Sequence, residues 1–146
     1  MSDISNTKTS IEEIYNNEVL LALIVRSSFK QEGIKFFTPN EFSQQLGYMN
    51  RKSGYEISPH VHKPVKRTID YTKEVLFIKK GKVKIDFYDE NKNYIESRIL
   101  LSGDVILLSK GGHGFLMLED TEMIEVKQGP YAGDQDKERF EFKNIN

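Results

Sequence analysis

The chain has 146 residues, of which 29% are charged, and its formal net charge is −1. That is the size of one folded domain, and the balanced charge gives no reason to expect nucleic-acid or membrane binding. There is no cysteine, which excludes disulfides, iron–sulfur clusters and thiol catalysis, so any bound metal must be held by nitrogen and oxygen ligands.

The N-terminal part of the chain predicts a flexible segment followed by a buried strand. We expect residues 1–15 to be flexible, because the first ten are rich in Ser, Thr, Asp and Asn. The pair Ser10 and Glu13 has the spacing of a capped helical turn. The next run, "EVLLALIVRSSF", is too apolar for an exposed helix, and its β-branched residues favour a strand. We expect a single domain over residues 16–135 and a C-terminal tail over 136–146. The start of the chain is unlike a signal peptide, and its longest apolar run is too short to span a bilayer, so we expect a cytoplasmic protein.

From residue 47 onward, apolar and polar residues alternate in short runs that turn residues separate. In "KVKIDFY", Val83, Ile85 and Phe87 lie on one face of a predicted strand, and the charged residues lie on the other. "YEISPHVH", "EVLFIKKG", "DVILLS" and "TEMIEVKQG" are further predicted strands, and no long helical pattern lies between them. Several short strands at this spacing indicate an antiparallel sandwich or barrel.

Three histidines and one glutamate have the pattern of a metal site. His60 and His62 are two residues apart, so in a strand both side chains point to the same face. Glu74 begins the next predicted strand, and His113 stands among glycines that let the backbone bend closely. Three imidazoles and one carboxylate commonly hold a divalent transition metal, here Zn, Fe, Mn, Ni or Cu.

These residues give the chain a resemblance to the cupin superfamily over roughly residues 47–127. The first cupin motif is matched by Gly54, five residues, His60-Val61-His62, then Glu74, six residues and Gly81. The second is matched by Gly103, five residues, and a Gly-rich turn that leads to His113. The sequence departs from the motifs in the longer gap between His62 and Glu74, and in Ser109 and Met117, which replace a proline and an asparagine.

The resemblance implies an all-β fold, an antiparallel jelly-roll (cupin) barrel with a short N-terminal extension. It also implies one divalent transition metal ion held by His60, His62, Glu74 and His113. More loosely, the chain is similar to small single-domain cupins of bacterial surface-polysaccharide pathways. Two functions stay open: a metal-dependent enzyme of the isomerase/epimerase or dioxygenase type, or a non-catalytic module that binds a small molecule such as a sugar.

Further polar residues are candidates for contacting a ligand, and solvated or structural roles are the alternative for each. They are Gln45, Tyr48 and Arg51 before the first motif, Arg67 in the gap, and Lys127 and Tyr131 near the end of the domain. Residues 63–73 carry four cationic side chains and one acid, so a loop over the barrel mouth would favour a small anionic ligand. We also expect a homodimer, because barrels of this kind have sheet edges to cover and "VLLALIV" could add a strand to a partner.

Overall fold

The computed structural model describes residues 10–141, and within that range the chain forms ten β-strands and one short 3-10 helix. In chain order the strands are β1 (Ile11–Asn16), β2 (Val19–Val25), β3 (Gly33–Phe36), β4 (Gly47–Asn50), β5 (Glu74–Lys80), β6 (Lys82–Tyr88), β7 (Tyr94–Leu101), β8 (Val105–Leu108), β9 (Gly112–Met117) and β10 (Glu122–Lys127). The 3-10 helix covers Gly133–Gln135. No helix in this part of the chain is long and apolar enough to cross a membrane.

The strands form three antiparallel sheets. The largest has five strands in the order β1-β2-β8-β5-β10, the second has three in the order β7-β6-β9, and β3 pairs only with β4. The prediction of an all-β antiparallel architecture is confirmed. The sheets do not close into a barrel, however, because strands β7 and β9 each pair on one side only within residues 10–141.

The core lies between the inner faces of the five-stranded and three-stranded sheets. Ile24 and Ile106 stand opposite each other on β2 and β8, and both are fully buried. From the other sheet, Ile85 and Leu100 are also fully buried in the same cluster. Burying a side chain of this size stabilises the fold by roughly 1.5–3 kcal/mol. The alternation correctly indicates the inner face of β6, but the expected wet face is only partly exposed, because Asp86 and Tyr88 are buried. Strand β2 is buried on both faces from Leu21 to Val25.

Three glycines at motif positions occupy turns that need a positive φ angle. Gly54, Gly81 and Gly103 have φ angles of 88°, 101° and 89°. Gly81 joins β5 to β6, and a Cβ there would overlap the carbonyl oxygen of Asp120. These positions favour glycine because other residues rarely adopt this conformation.

A partly buried ion network ties β1 and the residue after β2 to β7 and the β7–β8 turn. Arg26 bridges Glu12 and Asp104, with its Nη1 atom 3.0 Å from Oδ2 of Asp104. Arg98 of β7 reaches Glu12 at 3.0 Å from Nε to Oε1. Asp104 is only 3% exposed, and it also accepts hydrogen bonds from the backbone N–H groups of Ser27 and Leu101, both at 2.8 Å. The sequence offered no pattern that predicted this network.

The N-terminal predictions need two corrections. The helical turns expected after Ser10 are strand β1, which pairs along its length with β2 and buries Ile14 completely. Pairing with the apolar β2 outweighed the local capping signal at Ser10. The segment that was expected to be flexible therefore forms a strand from Ile11 onward. Residues 1–9 lie outside the described residues. The run "VLLALIV" is a strand as expected, but β1 and β8 occupy both of its sides. It therefore has no edge to offer a partner.

The tail expected after residue 135 packs on the body of the molecule as far as it is described. The ring of Phe140 lies edge-on to Tyr88, with 5.0 Å between the ring centroids. Lys92 donates to Glu138 at 2.6 Å. The remaining tail residues, 142–146, lie outside the described residues.

Candidate metal site

Glu74 and His113 lie together at one end of the space between the two large sheets. Glu74 is the first residue of β5, where it stands between Leu108 of β8 and Lys127 of β10, and it is 7% exposed. His113 is on β9, opposite the buried Phe87 of β6, so its ring points to the inner face of the smaller sheet. His113 Nε2 is 3.4 Å from Glu74 Oε2. The sequence placed these residues in separate strands, and the fold brings them into contact.

The surroundings of Glu74 favour its ionised form. The adjacent His113 lowers the pKa of Glu74 from its usual value, burial opposes this effect, and the charges of Lys137 and Lys127 reinforce it. An ionised carboxylate in a largely buried position can accept hydrogen bonds or bind a cation, and it is costly to leave without a partner. Glu74 is therefore ready to act as an anionic ligand at neutral pH.

His60 and His62 lie in a different part of the molecule. Residues 51–73, which we call the arm, connect β4 to β5 without any strand or helix, and residues 51–71 are all exposed. The two imidazole rings are neighbours, with their centroids 5.3 Å apart and their planes 77° apart. The strand predicted for "YEISPHVH" is thus absent, because no other strand pairs with this segment within residues 10–141.

The hydrogen bonding of His60 leaves one ring nitrogen available to a metal. Its Nδ1 atom is 2.9 Å from the carbonyl oxygen of Ser58. A carbonyl oxygen only accepts, so Nδ1 must donate, and in the neutral ring Nε2 then carries the lone pair. This is the arrangement by which metal-binding histidines are usually oriented.

The four predicted metal ligands are therefore divided into two pairs. Among residues 10–141, no group of three or more His, Asp or Glu side chains is close enough to hold a metal ion. Glu74 and His113 fit two positions of a nitrogen–oxygen site, and they are held by strands. His60 and His62 would complete it only if the arm carried them to that end of the sheets.

Two of the other ligand-binding candidates lie near Glu74. Lys127 is its register partner on β10, and the Nζ atom of Lys127 is 5.8 Å from the centroid of the Tyr131 ring. Lys127 and Tyr131 also line a cavity of about 250 Å³, whose walls come from the end of the arm and from residues 127–139. Glu74 and His113 do not line this cavity, and it adjoins the site only through Lys127 and Lys137.

The remaining candidates have mainly structural contacts in the described structure. Gln45 donates to the carbonyl oxygens of Pro39 and Phe42, both at 2.9 Å, and so closes the loop before β4. Tyr48 packs edge-on against Phe29. Arg51 lies over the ring of Tyr55, and Arg67 is exposed in the arm, where its Nη1 atom is 3.5 Å from the carbonyl oxygen of Val65.

Three residues near Glu74 were not predicted from the sequence. Gln128 accepts a hydrogen bond from the backbone N–H of Lys73 at 2.9 Å, and Thr72 donates to Asp136 at 2.6 Å. These bonds fix the end of the arm next to Glu74. Lys137 contributes to the electrostatics of Glu74. The only hint in the sequence was the charged segment after the Gly-Pro turn, which contains Asp136 and Lys137.

No protein-family model, curated protein or solved structure matches this chain. The assignment of function therefore depends on the site itself.

Proposed function

We propose that this chain is a cupin-type metalloprotein and an enzyme that acts on a small anionic metabolite or sugar derivative. The observation that supports this most is the buried Glu74 carboxylate, which lies 3.4 Å from His113 Nε2 between the two sheets. Ion pairs of this kind also occur as structural contacts. Here, however, the histidine is 28% exposed at the open end of the sheets, and so it can be reached by a ligand.

The metal would be held by Glu74 and His113 together with His60 and His62. All four are nitrogen or oxygen donors that suit a divalent transition ion, and the chain has no thiol to compete. A bound ion of this kind supplies Lewis-acid polarisation of a substrate oxygen. The Nδ1 hydrogen bond of His60 to the Ser58 carbonyl keeps its Nε2 lone pair free for this role.

The side chains around the site favour proton transfer, and hence an isomerase or epimerase rather than a dioxygenase. Lys127 carries positive charge beside Glu74, where it would attract and orient an anionic substrate. Tyr131 lines the adjacent cavity and offers a hydroxyl that can donate or accept a proton. Arg67 and the other cations of the arm would hold a carboxylate or phosphate at the entrance.

Metal analysis of protein that is purified without chelator tests the first part of this proposal. We expect one divalent ion per chain in the native protein and a loss of metal in Glu74→Gln. Lys127→Ala is the matched control, because it changes a neighbour of Glu74 that is not a ligand in this account. Native protein without metal, or equal metal content in native protein and Glu74→Gln, would contradict the site.

The proton-transfer reaction is tested by NMR in deuterated water, with phosphorylated keto sugars and keto-sugar nucleotides as substrates. We expect deuterium to enter at a carbon next to a carbonyl with the native protein. The exchange should fall strongly in Glu74→Gln and in the metal-free protein. Binding of these anions without exchange would favour the non-catalytic binding module.

A further inference from the structure

The arm has the sequence pattern of a strand but no sheet around it. Between residues 55 and 71 its large apolar side chains all stand at odd positions, and both histidines stand at even positions. In extended chain this puts the apolar residues on one face and the histidines on the other. The exposed apolar side chains of the arm are Tyr55, Ile57, Val61, Val65, Ile69 and Tyr71, and Val61 is 89% exposed.

The C-terminal end of the arm contacts its own chain, where Tyr71, Thr72 and Lys73 meet Lys110, Asp136 and Gln128. The part that carries the histidines has mainly internal contacts. The side-chain hydrogen bonds of His60 and Arg67 stay within it, to the carbonyl oxygens of Ser58 and Val65. Connections longer than about 15 residues without secondary structure are uncommon in compact domains and are usually functional or linker segments, so the apolar face of this segment is a candidate for binding a partner surface.

The edge strand β9 offers a partner surface of the right kind. It pairs with β6 on one side only, so the backbone groups on its other side have no strand partner within residues 10–141. Its inner face carries His113, and its outer face carries Leu116, which is 52% exposed. The outer face continues across the sheet to the exposed Ile99 of β7, because both Ile99 and Leu116 stand beside Lys84 of β6. A free edge beside exposed apolar side chains is a typical site for an added strand.

We infer that the arm of one copy pairs with β9 of a second copy and delivers His60 and His62 to that copy's Glu74 and His113. This inference rests on the proposed metal site. Each copy holds half of the ligands on rigid strands and the other half on the arm, so two copies complete both sites reciprocally. Exchange of identical segments under two-fold symmetry is a common route to a dimer.

The dimensions and the orientation of the arm suit this exchange. An extended segment advances about 3.3 Å per residue, so the stretch from Thr72, which is bonded to its own chain, back to His62 can span about 33 Å toward a neighbouring copy. With the histidines toward the interior, Val61 would face outward beside Leu116, which continues the outer apolar surface of the sheet. A stable interface uses about 20–30 residues from each partner, and the arm supplies about that number.

Cross-linking tests the exchange without depending on metal. Because the chain has no cysteine, Val61→Cys and Gly114→Cys each introduce one thiol. Gly114 lies on the outer face of β9, and a Cβ there meets nothing within 4 Å. The two variants are unfolded, mixed, refolded together and then treated with a short bismaleimide. We expect a cross-linked dimer that contains one Val61→Cys chain and one Gly114→Cys chain. Val19→Cys, on an exposed site remote in sequence from the arm, replaces Val61→Cys as the control and should give none. A monomeric mass by light scattering, or cross-links only when both thiols are in one chain, would overturn the exchange.

Complementation of metal binding tests the shared site itself. The His60→Ala/His62→Ala variant keeps the strand ligands, and the Glu74→Gln/His113→Gln variant keeps the arm ligands. Each alone should bind no metal, whereas the purified mixed dimer should regain one complete site, about one ion per two chains. If the native protein binds metal and the mixed dimer does not, the exchange of arms is refuted. The proposed metal site is not refuted by that result. Native protein without metal refutes the proposed function, and the cross-linking result then decides on the exchange alone.

Discussion

Replacing Asp104 by alanine should destabilise the fold strongly, because this carboxylate connects the segment after β2 to the β7–β8 turn. Its oxygens accept from Arg26 Nη1 at 3.0 Å and from the backbone N–H groups of Ser27 and Leu101, both at 2.8 Å. The residue is 3% exposed, so no solvent replaces the lost acceptor easily. Hydrogen bonds to charged groups contribute about 1.5–3 kcal/mol each, and the three are not additive. Removing one member of a buried ion pair costs about 3–5 kcal/mol, which we take as the expected loss.

Urea unfolding at fixed protein concentration measures this loss. For a domain of this size the expected change corresponds to a drop in melting temperature of roughly 10–15 °C. Asp120→Ala is the matched control, because Asp120 is an exposed residue in the β9–β10 turn, and it should change stability by less than about 0.5 kcal/mol. A loss below about 1 kcal/mol in Asp104→Ala would contradict this reasoning, because the ion network would then stabilise the fold no more than an exposed salt bridge does.

Three further predictions test the network, the motif glycines and the arm. Arg26, and then Arg98, lowers the folded-state pKa of Glu12, although burial opposes this effect. Glu12 therefore stabilises the fold above its usual pKa of about 4.3. This stabilisation is lost as the pH falls through the lower pKa of the folded state. The stability advantage of native protein over Glu12→Gln should therefore shrink with acidification, and a constant difference would contradict the assignment. Gly111→Ala should lower the free energy of unfolding by about 2 kcal/mol or more, because φ is 73° and a Cβ would overlap a carbonyl oxygen. Gly114→Ala is the control, because its Cβ meets open space, and it should lower the free energy of unfolding by less than about 1 kcal/mol. Equal losses in the two variants would be inconsistent with this geometry. Arg67→Ala should weaken citrate or phosphate binding by about tenfold at low salt and less at high salt, with Lys30→Ala as a charge-matched control, and equal binding by both variants would exclude Arg67 from the anion site.

The sequence predicted most strands because alternation and turn residues act locally. The run that contains Val83, Ile85 and Phe87 places these residues on the inner face as its pattern indicated. Strand β1 was missed because a capping signal at Ser10 competed with it, and its pairing with β2 is a non-local interaction that no local pattern reveals. The ion network around Asp104 was missed for the same reason, since its members come from β1, the residue after β2, strand β7 and the β7–β8 turn.

The candidate site could be predicted only in part. Glu74 and His113 lie on strands, so strand pairing brings them together. His60 and His62 also have a strand pattern, but the pattern does not say which chain provides the neighbouring strand. The sequence therefore indicated four candidate donors, and in our proposal their assembly depends on contacts between two copies.

X-ray absorption spectroscopy at the metal edge tests the central claim most directly, because it counts imidazoles around the bound ion. The chain has three histidines in total. The proposed site predicts three imidazole nitrogens and one carboxylate oxygen at about 2.0–2.2 Å from a zinc ion. Replacing His60 and His62 by alanine should reduce the imidazole count to one in any metal that remains. A native spectrum with one imidazole or none would contradict the account, because the arm histidines would then lie away from the metal.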